Sequence, residues 1–241
     1  MGILNATPDS FSDGGRYDSA TAALDRALQM VGEGADFIDV GAESTRPGAE
    51  EISVEEEWDR LCPVFESFRG RVSVPVSVDT YKAAVAEKAL AAGASIVNDV
   101  WGLKREPEIA DIAASAGAGL VLMHNSRDER EEGDLVAWIC RSLENSLKIA
   151  ERAGVDPDRI VLDPGIGFGK SVQQNLEILR RFGEFRKMGF PLLLGASRKS
   201  VIGKTLNLPV EQRLEGTLAT TVVGVAGGAA VIRVHDVDPN L

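Results

Sequence analysis

Two kinds of polar residue recur after short apolar runs in this 241-residue chain. Asp79, Asn98 and Asp163 are two carboxylates and an amide, able to pair with the donors and acceptors along the edge of a heterocycle. Arg46, Lys199 and Arg233 are cations suited to phosphate or diphosphate, and they stand out in a protein of net charge -11. His235 lies two residues beyond Arg233, and alternation along extended chain points both the same way. A flat polar ring bearing an anion would use both sets. Taken singly, several of these residues have plainer uses. Asp79 and Thr80 also fit a cap on a helix starting near Lys82, Asp163 fits the organiser of a glycine turn, and Asn5 and Asn98 fit turn residues. His124, the other of the two histidines, fits a packed core side chain. The run 163–170 holds Gly165, Gly167 and Gly169 and continues Lys170-Ser171, but its glycines alternate and lack the Walker spacing. Close backbone approach to a flat ring is its expected use.

These residues need a scaffold that brings them together. Apolar, β-branched runs at 2–5, 37–40, 74–78, 95–98, 120–124, 159–162, 191–195 and 230–234 read as strands. Between them, amphipathic stretches at 19–32, 54–68, 82–92, 108–116, 135–153, 172–181 and 211–226 read as helices. Eight strands alternating with helices at this length predict an α/β protein with a parallel sheet closed into a (β/α)8 TIM barrel, a single domain over 1–241. The chain stops soon after strand eight, so the barrel is expected to lack its last helix. In this fold chemistry sits at the carboxyl ends of the strands, which is where Asn5, Glu43 to Arg46, Asp79, Asn98, His124, Asp163, Ser197 to Lys199, Arg233 and His235 fall. The charged segment 125–134 reads as a surface loop. The acidic balance argues against nucleic acid and membrane as partners. Cys62 and Cys140 fit neither a disulfide framework nor a zinc site and read as core thiols. No apolar run is long enough to span a bilayer, so a soluble, cytoplasmic protein is expected.

The segments MGILNATPDSFSDGG, GAESTRPGA, SVDTYKAAV, IVNDV, LDPGIGFGK, GASRKS and RVHDV, in that order, resemble dihydropteroate synthases over nearly the whole chain. The resemblance implies condensation of a pterin diphosphate with 4-aminobenzoate in folate biosynthesis, with Mg2+ as cofactor and Asn5 helping to hold it. It further implies that Thr45 and Arg46 close over the reacting groups and that Asp79, Asn98, Asp163 and Lys199 recognise the pterin, with Met123 along the pocket wall. Arg233 and His235 would form the anion pocket, and Phe168 and Ser197 would lie near 4-aminobenzoate. A homodimer is implied as well. The sequence after His124, Asn125-Ser126-Arg127, departs from the family's wording. Two other enzymes fit parts of the pattern: a pterin-dependent methyltransferase, which does not need Arg233 and His235 as a diphosphate cradle, and an aldolase using Lys199 as a Schiff base.

Overall fold

The computed structural model describes residues 1–6, 16–44, 50–127 and 133–241. Eight strands and eight helices alternate among them: β1 (Gly2–Asn5), α1 (Arg16–Gly32), β2 (Ile38–Gly41), α2 (Val54–Phe68), β3 (Val76–Asp79), α3 (Ala83–Ala92), β4 (Ile96–Asp99), α4 (Glu108–Ala116), β5 (Gly119–Met123), α5 (Leu135–Arg152), β6 (Ile160–Asp163), α6 (Val172–Arg180), β7 (Leu193–Leu194), α7 (Ser200–Leu206), α8 (Leu214–Ala226) and β8 (Val231–Ile232). β1 to β6 form one parallel sheet in sequence order, and β7 pairs with β8. Two parallel bridges join these sheets into a ring. Leu162 pairs with Leu192, and Gly2 pairs with Val234. The Leu162 amide donates to the Pro191 carbonyl at 2.9 Å, and the Ile3 amide to the Val234 carbonyl at 2.8 Å. The result is the closed eight-stranded barrel that the alternation of strands and helices predicts.

Alternation along each strand sorts the side chains. Leu4, Ile38, Val40, Val76, Val78, Val97, Leu120, Leu122, Ile160 and Leu162 join the main core, packed against the helix shell. The intervening residues Asp39, Ser77, Asp79, Asn98, Met123 and Asp163 are absent from that core and face the barrel interior. Helix starts are marked by local chemistry. Ser53 accepts from the Glu56 amide at 3.1 Å ahead of α2. Ser171 and Gln174 exchange hydrogen bonds as a capping box on α6.

Three expectations need revision. β2, β3, β4 and β6 end one residue later than their apolar runs suggested, so Asp79, Asp99 and Asp163 are the last strand residues and not the first loop residues, whereas β5, β7 and β8 end earlier than expected. The chain between β7 and β8 holds two helices where one was expected; α7 (SVIGKTL) is short and contains glycine and threonine, poor helix formers that conceal it. Segment 125–134 is not simply a surface loop, because Asn125 and Ser126 are buried, with the Asn125 amide donating to the Val100 carbonyl at 3.2 Å. After β8 comes the 3-10 turn Asp238–Asn240. Cys140 is buried and Cys62 half-buried.

Candidate active site

The carboxyl ends of β2, β3, β4 and β8 put a charged network at the floor of the barrel mouth. The Arg233 guanidinium donates through Nε to Asp39 Oδ2 at 2.6 Å and through Nη2 to Asp79 Oδ2 at 2.8 Å. Asn98 Nδ2 donates to the same Asp39 oxygen at 3.0 Å. Asp39 is completely buried, and its Oδ1 has no hydrogen-bond partner. Burial of a charge is costly unless it is paired, and here that cost dominates at Asp79, whose carboxyl is pushed up to about 7 by desolvation although Arg233 opposes the shift. Sequence reading missed Asp39. The available signal was a carboxylate inside the apolar run 37–40, at a position alternation points inward.

Asp163 ends β6 across the mouth. Its Oδ1 accepts from the Gly165 amide at 2.7 Å, while burial raises its pKa against the opposing influence of Lys199. Lys199, just before α7, donates to the Ile166 carbonyl at 2.5 Å and lies 4.6 Å from the centre of the Phe168 ring. Desolvation brings its ammonium down to about 8. Above this floor, Met123, Tyr81, Val100 and Trp101 form an apolar cluster separate from the main core, with Phe168 packed against it. The mouth therefore combines a polar floor with an apolar wall, the composition of a site for a flat, hydrogen-bonding ligand.

The glycine run serves the protein's own backbone. At Gly165, φ is +74°, and an added Cβ would lie 1.9 Å from the His124 carbonyl oxygen. At Gly169 it would meet the backbone of residues 126–127 at 2.7 Å. These contacts give Gly165 and Gly169 a use within the protein's own loop. Lys170 turns into the same loop, donating to the carbonyls of Gly165 at 2.8 Å and of His124 and Phe168 at 3.2 Å. It organises the loop from within, where a P-loop lysine would project onto phosphate.

At the β7 and β8 ends, Ser197 Oγ lies 3.0 Å from His235 Nδ1 and accepts from the His235 amide at 3.2 Å. His235 thus faces Ser197, while Arg233 reaches inward to Asp39 and Asp79. His124 is fully buried with its ring edge-on to Trp138, centroids 4.6 Å apart, as a packed side chain would be. Thr80 takes the plainer role too, its Oγ1 accepting from the Lys82 amide at 3.2 Å. Asn5 is exposed at the end of β1, in register with Gly41. Thr45 and Arg46 lie outside the described residues. The positive rim expected of Arg46, Lys199 and Arg233 is, where described, a charge-paired floor: three carboxylates meet two cations.

No cluster of three His, Cys, Asp or Glu side chains that could hold a metal occurs among the described residues. A hard divalent cation that keeps most of its waters and binds ligand phosphates needs only one or two protein oxygens, and the exposed Asn5 carboxamide fits that requirement.

Comparison with known proteins agrees with this geometry. The family described as pterin binding enzyme matches residues 1–235. A dihydropteroate synthase of Bacillus subtilis is 52% identical over 98% of this chain and 83% of its own. The structure of a dihydropteroate synthase from Clostridium difficile, obtained in the presence of pteroic acid, superposes with a TM-score of 0.97 at 48% identity, covering 100% of this chain and 91% of that one. One from Xanthomonas albilineans with 4-aminobenzoic acid gives 0.94 at 43% identity, covering 100% and 88%. A barrel carrying these residues at these strand ends, and this similar to those enzymes over its full length, belongs to the dihydropteroate synthase family of pterin-binding enzymes.

Proposed function

We propose that the chain condenses 6-hydroxymethyl-7,8-dihydropterin diphosphate with 4-aminobenzoate to give 7,8-dihydropteroate and diphosphate, as a transferase of folate biosynthesis. The observation that carries this reading is the buried floor in which Asp79, Asn98 and Asp163 face Arg233 and Lys199. Its relatives' ligands fit this reaction: pteroic acid is the oxidised form of the whole product, and 4-aminobenzoic acid is one of the two substrates.

The roles follow from charge flow. As the bond from the pterin methylene to the diphosphate stretches, positive charge grows on the ring and negative charge on the departing oxygens. Asp163, held by the Gly165 amide, and Asp79 pair with the ring edge and favour the electron-deficient pterin. Asn98 and Lys199 complete the ring's hydrogen bonds, and Met123 forms its wall. Arg233 keeps further donors for the anion after pairing with Asp39 and Asp79, and His235, positioned by Ser197, joins it there. Phe168 and Ser197 border the 4-aminobenzoate, whose amine attacks the methylene carbon. Thr45 and Arg46 complete the enclosure. Asn5 would hold Mg2+, which supplies charge neutralisation to the diphosphate.

The chain acts as one domain in the cytoplasm, and no helix among the described residues is long and apolar enough to cross a membrane. It pairs as a homodimer. Support for pairing comes from α8, where Val222, Val223 and Val225 are exposed and Glu215 is the only charged residue of Leu214–Ala226.

The test is formation of dihydropteroate from both substrates with and without magnesium. Product that depends on magnesium, and a turnover about 100-fold lower in Asp163→Asn at nearly unchanged pterin binding, support the reading. Pterin binding without product overturns the activity. Unchanged turnover in folded Asp163→Asn overturns that residue's role.

A further inference from the structure

A second buried charged cluster adjoins the pocket without forming part of it. Lys82, three residues beyond Asp79, extends its ammonium to Glu43 Oε2, to Glu57 Oε2 at 2.6 Å and to the Ile52 carbonyl at 2.7 Å. The second Glu43 oxygen accepts from the Tyr81 hydroxyl at 2.8 Å. Glu57, in the first turn of α2, is completely buried. One step outward, Arg105 pairs with Glu51 at 2.6 Å and lies over the Trp101 and Tyr81 rings, 4.3 and 5.0 Å from their centres.

Such a cluster is an expensive way to join elements. Two carboxylates and an ammonium lose their water, and the pairing compensates only when the geometry is well matched. Most of the helix shell packs through apolar side chains. What the ions add is a choice of attachment points. Glu43 precedes residues 45–49, and Glu51 and Ile52 follow them. Both sides are therefore fastened to the chain that carries Asp79, Tyr81 and Lys82, and the two sides meet at one ammonium. Apolar packing would bury the same surface without fixing the two sides against each other at a single point.

We propose that Lys82 is a positioning residue for the transfer reaction, fixing the chain on both sides of residues 45–49 against the barrel mouth beside Asp79. The inference rests on the functional reading above, which gives Thr45 and Arg46 a place over the reacting groups. Lys82 acts through Glu43 and Ile52 and touches no substrate. Its loss therefore moves the catalytic constants more than recognition of the ring at the floor.

The experiment compares the intact wild-type chain with Lys82→Met, Lys82→Arg and Glu43→Gln. Competent sites are counted by binding of 6-hydroxymethylpterin, which lacks the diphosphate and probes the floor alone. Kinetic constants for both substrates are then expressed per competent site. Lys82→Met is expected to lower kcat by about tenfold or more and to raise KM for 4-aminobenzoate, with the pterin Kd within about twofold, since small misplacements of reacting groups cost rate steeply. Lys82→Arg should recover part of the loss, and Glu43→Gln, which keeps the shape of the side chain but only one of its two acceptor oxygens, should fall between. Wild-type constants per competent site in Lys82→Met, with only a lower melting temperature, overturn the proposal. If Lys82→Met does not fold, wild-type constants in Glu43→Gln overturn it equally. A wild-type chain that makes no dihydropteroate overturns the functional reading and this inference together, whereas an active wild type with unaffected variants overturns this inference alone.

Discussion

Two arginines in this protein each gather more than one carboxylate, and their settings are opposite. Arg233 stands inside the barrel mouth between Asp39 and Asp79. Arg181 stands on the outside after α6, paired with Asp134 at 2.6 Å, Glu184 at 2.7 Å and Glu177 at 2.9 Å. Outside, pairing governs: the Arg181 guanidinium draws the Asp134 carboxyl down to about 2 and lowers that of Glu184. Inside, burial governs: Asp79 is pushed up to about 7 although it touches an arginine. The same pairing chemistry therefore joins surface elements in one place and, in the other, meets buried carboxylates on which desolvation outweighs the pairing.

The largest effect should separate the two arginines directly. Arg233→Met leaves Asp39 and Asp79 buried without their cation, which costs about 3–5 kcal/mol and should abolish measurable turnover. Arg181→Met leaves its three partners facing water, so turnover should stay at wild-type level with a much smaller loss of stability. Denaturant titration and initial rates on both variants check this. Comparable losses from the two would erase the distinction between mouth and periphery.

A smaller effect extends the comparison to glycine. Gly93 ends α3 with φ +118° and open space around an added Cβ, whereas Gly165 faces the His124 carbonyl oxygen at 1.9 Å. Gly93→Ala should cost about 1–2 kcal/mol, from the left-handed backbone alone. Gly165→Ala should cost more and also displace the amide that holds Asp163. Melting curves and pterin affinity on the pair test this. Gly165→Ala with affinity intact would show that the loop yields without disturbing Asp163.

The periphery was more legible in the sequence than the mouth, for a physical reason. Helix faces and strand runs answer to burial with a fixed period, so the eight strands and seven of the eight helices appear in the apolar pattern; α7 escaped because Ser200, Gly203 and Thr205 weaken its signature. At the mouth, polarity reads as loop, so the apolar runs of β3 and β6 stop one residue short of Asp79 and Asp163, which still lie in the ladder. Asp79, Asn98, Asp163, Lys199 and Arg233 do converge on one floor. Asp39 was hidden because a lone carboxylate in an apolar run carries no local sign of its partners, which lie 59 and 194 residues away in the chain. Glu57 and Lys82 were unreadable for the same reason. In a helix pattern each looks like an ordinary surface charge.

The smallest effect tests the cause of the contrast, since burial and pairing give opposite slopes with pH. The folded-state pKa of Asp79 lies above its ordinary 3.8, at about 7. Its contribution to stability is therefore fully present below about pH 4 and is lost as the pH rises toward 7. Asp134, drawn down from 3.8 to about 2, contributes stability above about pH 4 and loses it as the pH falls through 2. Asp79→Asn should therefore gain on the wild type progressively between about pH 4 and 7, flattening the decline in melting temperature without abolishing it, because burial raises Asp163 in the same direction. Asp134→Asn should instead carry a penalty near neutrality that fades toward pH 2. Melting temperatures of the three proteins across this range decide the matter. If wild type and Asp79→Asn run parallel from pH 4 to 7, then Arg233 and not burial governs the mouth, and the two arginines differ in location only.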